Sequence, residues 1–123
     1  MHKIVACYTS FLMDLENATA QMRKGILEFC ILDLIAEEEV YPSDIIQKLK
    51  QSKLIVVEGT LYPLLARLKN EDWLMYRWIE STSGPPRKYY RLTKSGETAL
   101  QQLRKTWLEL EFAVNSVIKR EHK

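Results

Sequence analysis

The densest chemistry in the chain is Arg87-Lys88-Tyr89-Tyr90-Arg91, where cations and phenols fill consecutive positions. Ammonium and guanidinium groups bind phosphate and release its counterions, and tyrosine hydroxyls donate to phosphate or base edges. A second set, Thr60, Tyr62, Arg67 and Lys69, lies upstream. Both sets fall within residues 42–93, which hold 9 basic and 5 acidic groups. Residues 1–41 hold 3 basic and 7 acidic groups, and residues 94–123 hold 6 and 4. The whole chain is only +2, so the distribution rather than the total marks the middle as the polyanion-facing part. A basic strand on a small domain is also ordinary solvated surface, and the reading rests on the clustering.

Catalytic chemistry has little to work with. The histidines, His2 and His122, each stand beside a chain end, so no nucleophile–base or histidine–metal constellation can be assembled. Gly25, Gly59, Gly84 and Gly96 make no phosphate-cradling loop. Neither a metal nor an organic cofactor is expected, and the chain does not read as an enzyme. Cys30 sits in an apolar run as a small core residue, and with Cys7 it makes no disulfide framework. A reducing, cytoplasmic location is therefore expected. No apolar stretch approaches the roughly 20 residues that cross a bilayer, so no membrane partner is expected. At 123 residues, 46% hydrophobic and 28% charged, the chain reads as one globular domain.

Several helices must position the two cationic sets. Leu15, Ala18, Met22, Ile26, Phe29 and Cys30 recur at helical spacing and predict a first helix from about Leu12 to Ala36. Tyr41-Pro42-Ser43-Asp44 opens a second helix, with proline at its first position and an acid complementing the dipole. After an extended Leu54-Ile55-Val56-Val57, Glu58-Gly59-Thr60 opens a third. Leu61, Leu64, Leu65 and Leu68 form its buried stripe, and Pro63 is expected in its first turn. Trp73 to Ile79 and Arg87 to Leu92 predict a hairpin, with Ser81 to Pro86 as a loop too long for a two-residue turn. Tyr89 and Tyr90 point to opposite faces, so one of them belongs to the core; Trp73 and Trp78 are read as packing residues.

Thr93 caps a final helix whose Leu100, Leu103, Trp107, Leu110, Val114 and Val117 form a heptad seam. Nothing later in the chain covers that seam. The first helix of the same chain, the same helix of a second chain, or both must do so. The order of helix, helix, helix, hairpin and long helix is that of a mainly α, winged helix-turn-helix with a two-stranded β wing and a C-terminal dimerisation helix. The boundaries read as an N-terminal extension over residues 1–12, a winged helix over 13–93 and a dimerisation helix over 94–123. A winged helix that binds protein instead of DNA is the rival reading, but it has no need of Arg67, Lys69, Arg87, Lys88 and Arg91.

The chain also resembles the PadR family of bacterial transcriptional regulators over roughly residues 14–118. The likeness is carried by Met22-Arg23-Lys24-Gly25 with Leu27-Glu28-Phe29-Cys30, and by Glu58-Gly59-Thr60-Leu61-Tyr62-Pro63-Leu64-Leu65 with Arg67-Leu68. It is carried further by Gly84-Pro85-Pro86-Arg87-Lys88-Tyr89-Tyr90-Arg91-Leu92-Thr93 with Gly96. Tyr41-Pro42 stands where many members have Tyr-Gly, and Asp72-Trp73-Leu74 where Gly-Leu-Leu or Gly-Leu-Ile is usual. The short last helix is similar to that of the compact branch. The resemblance implies a homodimeric repressor that binds an inverted-repeat operator. Leu15 and Met22 of the first helix would then meet the partner's last helix. It also implies release by a signal: in a multidrug-sensing branch, a last-helix tryptophan and its symmetry mate sandwich flat aromatic compounds. Trp107 falls at that position, and it equally suits a plain interface role on the seam.

Overall fold

The computed structural model describes residues 2–119, with side chains described from Asp14 onward. His122 and the side chains of His2 and Cys7 thus lie outside the described part. Helix α1 spans His2–Glu37, α2 Pro42–Gln51, α3 Glu58–Asn70 and α4 Lys94–Lys119. Strands β1 (Leu74–Ser81) and β2 (Gly84–Leu92) form one antiparallel hairpin between α3 and α4. Helix α1 starts well before Leu12, and no break in the backbone falls at residue 12. Neither glycine nor proline occurs before Gly25, so nothing in that stretch stops helix propagation.

One core holds the elements together. Ile31, Leu32 and Ile35 of α1 meet Ile45 and Leu49 of α2, the α3 leucine stripe, Leu74 and Leu100. Cys30 is packed against this core, and burial together with Asp33 pushes its thiol pKa up, away from reactivity. Helix α2 begins at Pro42, and the Tyr41 N–H donates to Asp44 Oδ2 at 3.2 Å. Helix α3 begins at Glu58, which places Pro63 in the second turn instead of the first. The i−4 carbonyl that loses its donor there is that of Gly59. Both residues are exposed, so water can take the free acceptor.

The chain leaves α3 through Asp72, whose φ of 63° lies in the left-handed region. Aspartate tolerates this conformation better than most residues, which explains its place where relatives by motif carry glycine. The hairpin turn is shorter than expected. Ser81 pairs with Gly84, so only Thr82 and Ser83 reverse the chain, and the Ser83 N–H donates to Ser81 Oγ at 3.3 Å. Pro85 and Pro86 lie inside β2. Between the Ile79–Arg87 and Ser81–Gly84 pairs, β2 has one residue more than β1. That bulge sets both prolines opposite Glu80, where the ladder asks no N–H of them.

Two further joints fix the wing. Val40, between α1 and α2, pairs with Tyr90 through N···O distances of 3.2 and 2.9 Å, adding one strand position at the β2 edge. At its base, the Thr93 N–H donates to the Trp73 carbonyl at 3.0 Å, and Thr93 Oγ1 donates to the Asp72 carbonyl at 2.5 Å. The same Thr93 Oγ1 accepts the Gly96 N–H at 2.9 Å, capping α4 as expected. Gly96 is required here: a Cβ would stand 2.0 Å from the Trp73 carbonyl oxygen.

Candidate nucleic-acid interface

The leucine stripe of α3 faces the core and leaves Gly59, Pro63, Ala66 and Asn70 at the centre of the outer face. The candidate side chains flank that centre in pairs spaced by seven residues, two near-integral turns apart. Tyr62 and Lys69 lie on the flank toward the hairpin, where Lys69 Nζ stands 5.4 Å from the Tyr76 ring of β1. Thr60 and Arg67 lie on the opposite flank, toward α1. Arg67 Nη1 reaches Glu28 Oε1 at 2.6 Å, and that carboxylate side chain is only 15% exposed. Arg67 is therefore partly committed to holding α3 on α1. Thr60 stands beside a groove shared with Arg23 and Lys24 of α1.

Strand alternation sorts the wing in the same way. Leu74–Leu92, Tyr76–Tyr90 and Trp78–Lys88 share one face; Met75–Arg91, Arg77–Tyr89 and Ile79–Arg87 share the other. On the first face Tyr90 is buried, so of the two tyrosines it is the one in the core, and burial raises its pKa. Lys88 Nζ lies 4.5 Å from the Tyr76 ring and 5.2 Å from the Trp78 ring. Lys69 and Lys88 thus converge on the Tyr76 ring in the corner between α3 and the wing, and Tyr62 lies two turns before Lys69 on the same flank of α3.

The other candidates lie elsewhere. Arg87 sits over the Tyr41 ring at 5.2 Å. Tyr41 packs on Tyr89, with ring centroids 3.6 Å apart, and pushes the Tyr89 phenol up to about 12, so it stays neutral beside the wing cations. Arg91 lies near Glu39, whose carboxylate Arg77 grips through two hydrogen bonds of 2.8 and 3.0 Å. Those bonds hold the Glu39 pKa below the usual carboxylate range. Trp73 packs against the core as expected, but Trp78 does not: it is 61% exposed at the far end of the hairpin. The reason is register, because the face it shares with Tyr76 and Tyr90 runs past the end of the core. Its two-residue spacing from Tyr76 was the available signal.

The α4 seam divides. Leu100 is 3% exposed and fills its own protomer's core, which leaves it no surface for a second chain, and Leu103 is half-buried against that core. Arg104 fixes this half of α4 to α1 by donating to Asp33 Oδ1 from Nε at 2.8 Å and Nη2 at 2.5 Å. Beyond it, Trp107, Leu110, Val114 and Val117 are exposed, as are Leu15 and Met22 of α1. Leu108 and Phe112 form a second exposed apolar stripe on another side of α4, and Phe112 is 76% exposed. A single heptad reading has no place for it.

Three helices and a β wing, with a pairing residue from the α1–α2 link at the wing's edge, make a winged helix-turn-helix. Within that class, the chain belongs to the transcriptional regulator PadR-like family, whose profile matches residues 31–102. This is a family of transcription regulators, not of enzymes. A transcriptional regulator of Mycobacterium tuberculosis is 32% identical over 90 residues, covering 73% of this chain and 83% of its own. A PadR-like transcription factor structure from Bacteroides fragilis is 61% identical, with a TM-score of 0.72, over 82% of this chain and 98% of its own. Bacillus subtilis PadR in complex with operator DNA is 26% identical, with a TM-score of 0.59, over 63% of this chain and 45% of its own.

Proposed function

We propose that the protein is a cytoplasmic, homodimeric repressor that binds an inverted-repeat DNA operator and is released by a small-molecule or stress signal. The observation that carries the reading is the corner where Lys69 of α3 and Lys88 of the wing converge on the Tyr76 ring. A helix entering the major groove and a hairpin reaching the neighbouring backbone would both present cations to the phosphates between them. The similarity to Bacillus subtilis PadR, whose structure is in complex with operator DNA, supports DNA as the partner. Thr60, Arg67, Arg87 and Arg91 would contribute from the margins, once Arg67 and Arg87 leave or share their present partners.

Dimerisation is supported by apolar surface on two sides of α4. One side would meet the partner's α4 and the other the partner's α1 at Leu15 and Met22, because leaving both wet would expose an unusually large apolar patch. Trp107, partly exposed on the seam, would then face its symmetry mate and could take a planar effector between the two indoles.

Titration of a duplex at rising salt tests the reading. Affinity should fall by about 10³ or more between about 50 and 200 mM salt, and selection from random duplexes should return inverted repeats with half-sites about one turn apart. Absence of binding at low salt would overturn it in favour of a protein-binding winged helix.

A further inference from the structure

Trp78 has no structural task in the fold: it is 61% exposed, and its face of the hairpin has already passed the core. Exposed single apolar residues are common, but this indole is also held in place. Its ring meets Tyr76 edge-on, with centroids 6.2 Å apart and an interplanar angle of 88°. Lys88 Nζ sits over both rings, and Lys69 Nζ over Tyr76 from the α3 side. The result is a strip, Lys69–Tyr76–Lys88–Trp78, alternating cation and aromatic from the end of α3 to the far part of the wing. An orientation fixed before binding spares much of the ordering cost of a contact.

The geometry points to Trp78 as a contact to the sugar–phosphate wall of the DNA minor groove, with its indole packed on deoxyribose beside the phosphate that Lys88 neutralises. This rests on the DNA reading above. Lys88 Nζ lies 5.2 Å from the centre of the indole, so a phosphate held by the ammonium would lie within one nucleotide's length of the ring, close enough for an adjoining sugar to reach it. Sugars present an apolar face whatever the base, so the contact adds affinity without sequence preference. The indole does not neutralise charge, so it adds nothing to counterion release.

Trp78→Ala, Trp78→Phe and Lys88→Ala are compared with the wild type on a mixed-sequence duplex and on the selected operator. Thermal midpoints check that each variant folds. Trp78→Ala should lose roughly tenfold in affinity on both duplexes with its salt slope unchanged, the loss of one aromatic contact. Lys88→Ala should lower the slope by about one, and Trp78→Phe should recover most of the affinity. Indole emission should change when the wild type binds DNA, and that change should vanish in Trp78→Phe, where Trp73 and Trp107 remain. Wild-type affinity in Trp78→Ala, or an emission change persisting in Trp78→Phe, overturns the inference while leaving DNA binding intact. If the wild type itself binds no duplex, the functional reading fails and this contact falls with it. Should Trp78→Ala fold poorly, the emission and affinity of Trp78→Phe decide alone.

Discussion

Replacing Gly96 with alanine sets two physical effects against each other. Helix propensity favours alanine, by about 0.8–1 kcal/mol in a helix interior. Sterics oppose it, because the added methyl would stand 2.0 Å from the Trp73 carbonyl oxygen and 2.9 Å from its carbon. Ordinary contact needs more than an ångström of retreat, and the obstacle is backbone. Trp73 cannot give way cheaply: its N–H donates to the Leu68 carbonyl at 3.1 Å, and its carbonyl accepts from Thr93 at 3.0 Å. Moving α4 instead would break the Thr93 cap and pull Leu100 out of the core. Overpacking costs about 1–3 kcal/mol where side chains can adjust, and this site should reach about 3 kcal/mol net of propensity. Urea unfolding followed by far-ultraviolet circular dichroism, at fixed protein concentration, measures the difference. An alanine variant as stable as the wild type, or more stable, would refute the close approach of α4 to the wing base.

Arg77→Ala should raise the Glu39 pKa toward its ordinary value, readable by carboxyl titration in nuclear magnetic resonance. In the wild type the pair should add stability above the unfolded carboxylate pKa and lose it as pH falls through the lowered folded value; an unmoved Glu39 titration would contradict this. Tyr62→Ala should weaken the operator more than random DNA, whereas the Arg87→Ala, Lys88→Ala double variant should weaken both and cut the salt slope by about one to two. Equal selectivity in the two would remove the division between helix and wing. Leu110→Lys with Val114→Lys should give monomers in sedimentation, and an unchanged dimer would place the interface elsewhere. Flat dyes should weaken DNA binding by the wild type and leave Trp107→Ala unaffected; an equal response would exclude the indole pair as the effector site.

Elements with strong periodicity were legible from the residues alone. The α3 leucine stripe, the Thr93 cap and the hairpin strands each follow from a local pattern that tertiary packing did not have to override. What escaped was decided at a distance. Pro85 and Pro86 read as loop residues, and only the bulge opposite Glu80 lets them lie within a strand. Pro63 reads as a first-turn residue, and an exposed Gly59 one turn earlier tolerates it deeper in the helix. The Val40–Tyr90 pair is a single ladder position, too short to leave a pattern. In the candidate site, residue types were readable but their grouping was not. A strand's alternation separates Lys88 from Arg87, and the pitch of α3 separates Tyr62 and Lys69 from Thr60 and Arg67. Leu100 shows the same limit, since a heptad seam does not say where cover from the same chain stops.

Helix α1 and the link after it connect an exposed apolar surface to the wing. The helix exposes Leu15 in its first half and Met22 just past its middle; in the link beyond Glu37, Glu39 accepts two hydrogen bonds from Arg77, and Val40 is bonded to Tyr90. A tilt of α1 would therefore be passed on to the wing. From Met22 to Glu37 the helix runs about 22 Å, so a tilt of about 5° at the apolar end shifts the other by about 2 Å. That displacement is several times the roughly half-ångström latitude of a hydrogen bond, so a small reseating of α1 would be enough to carry the wing out of register with a phosphate backbone.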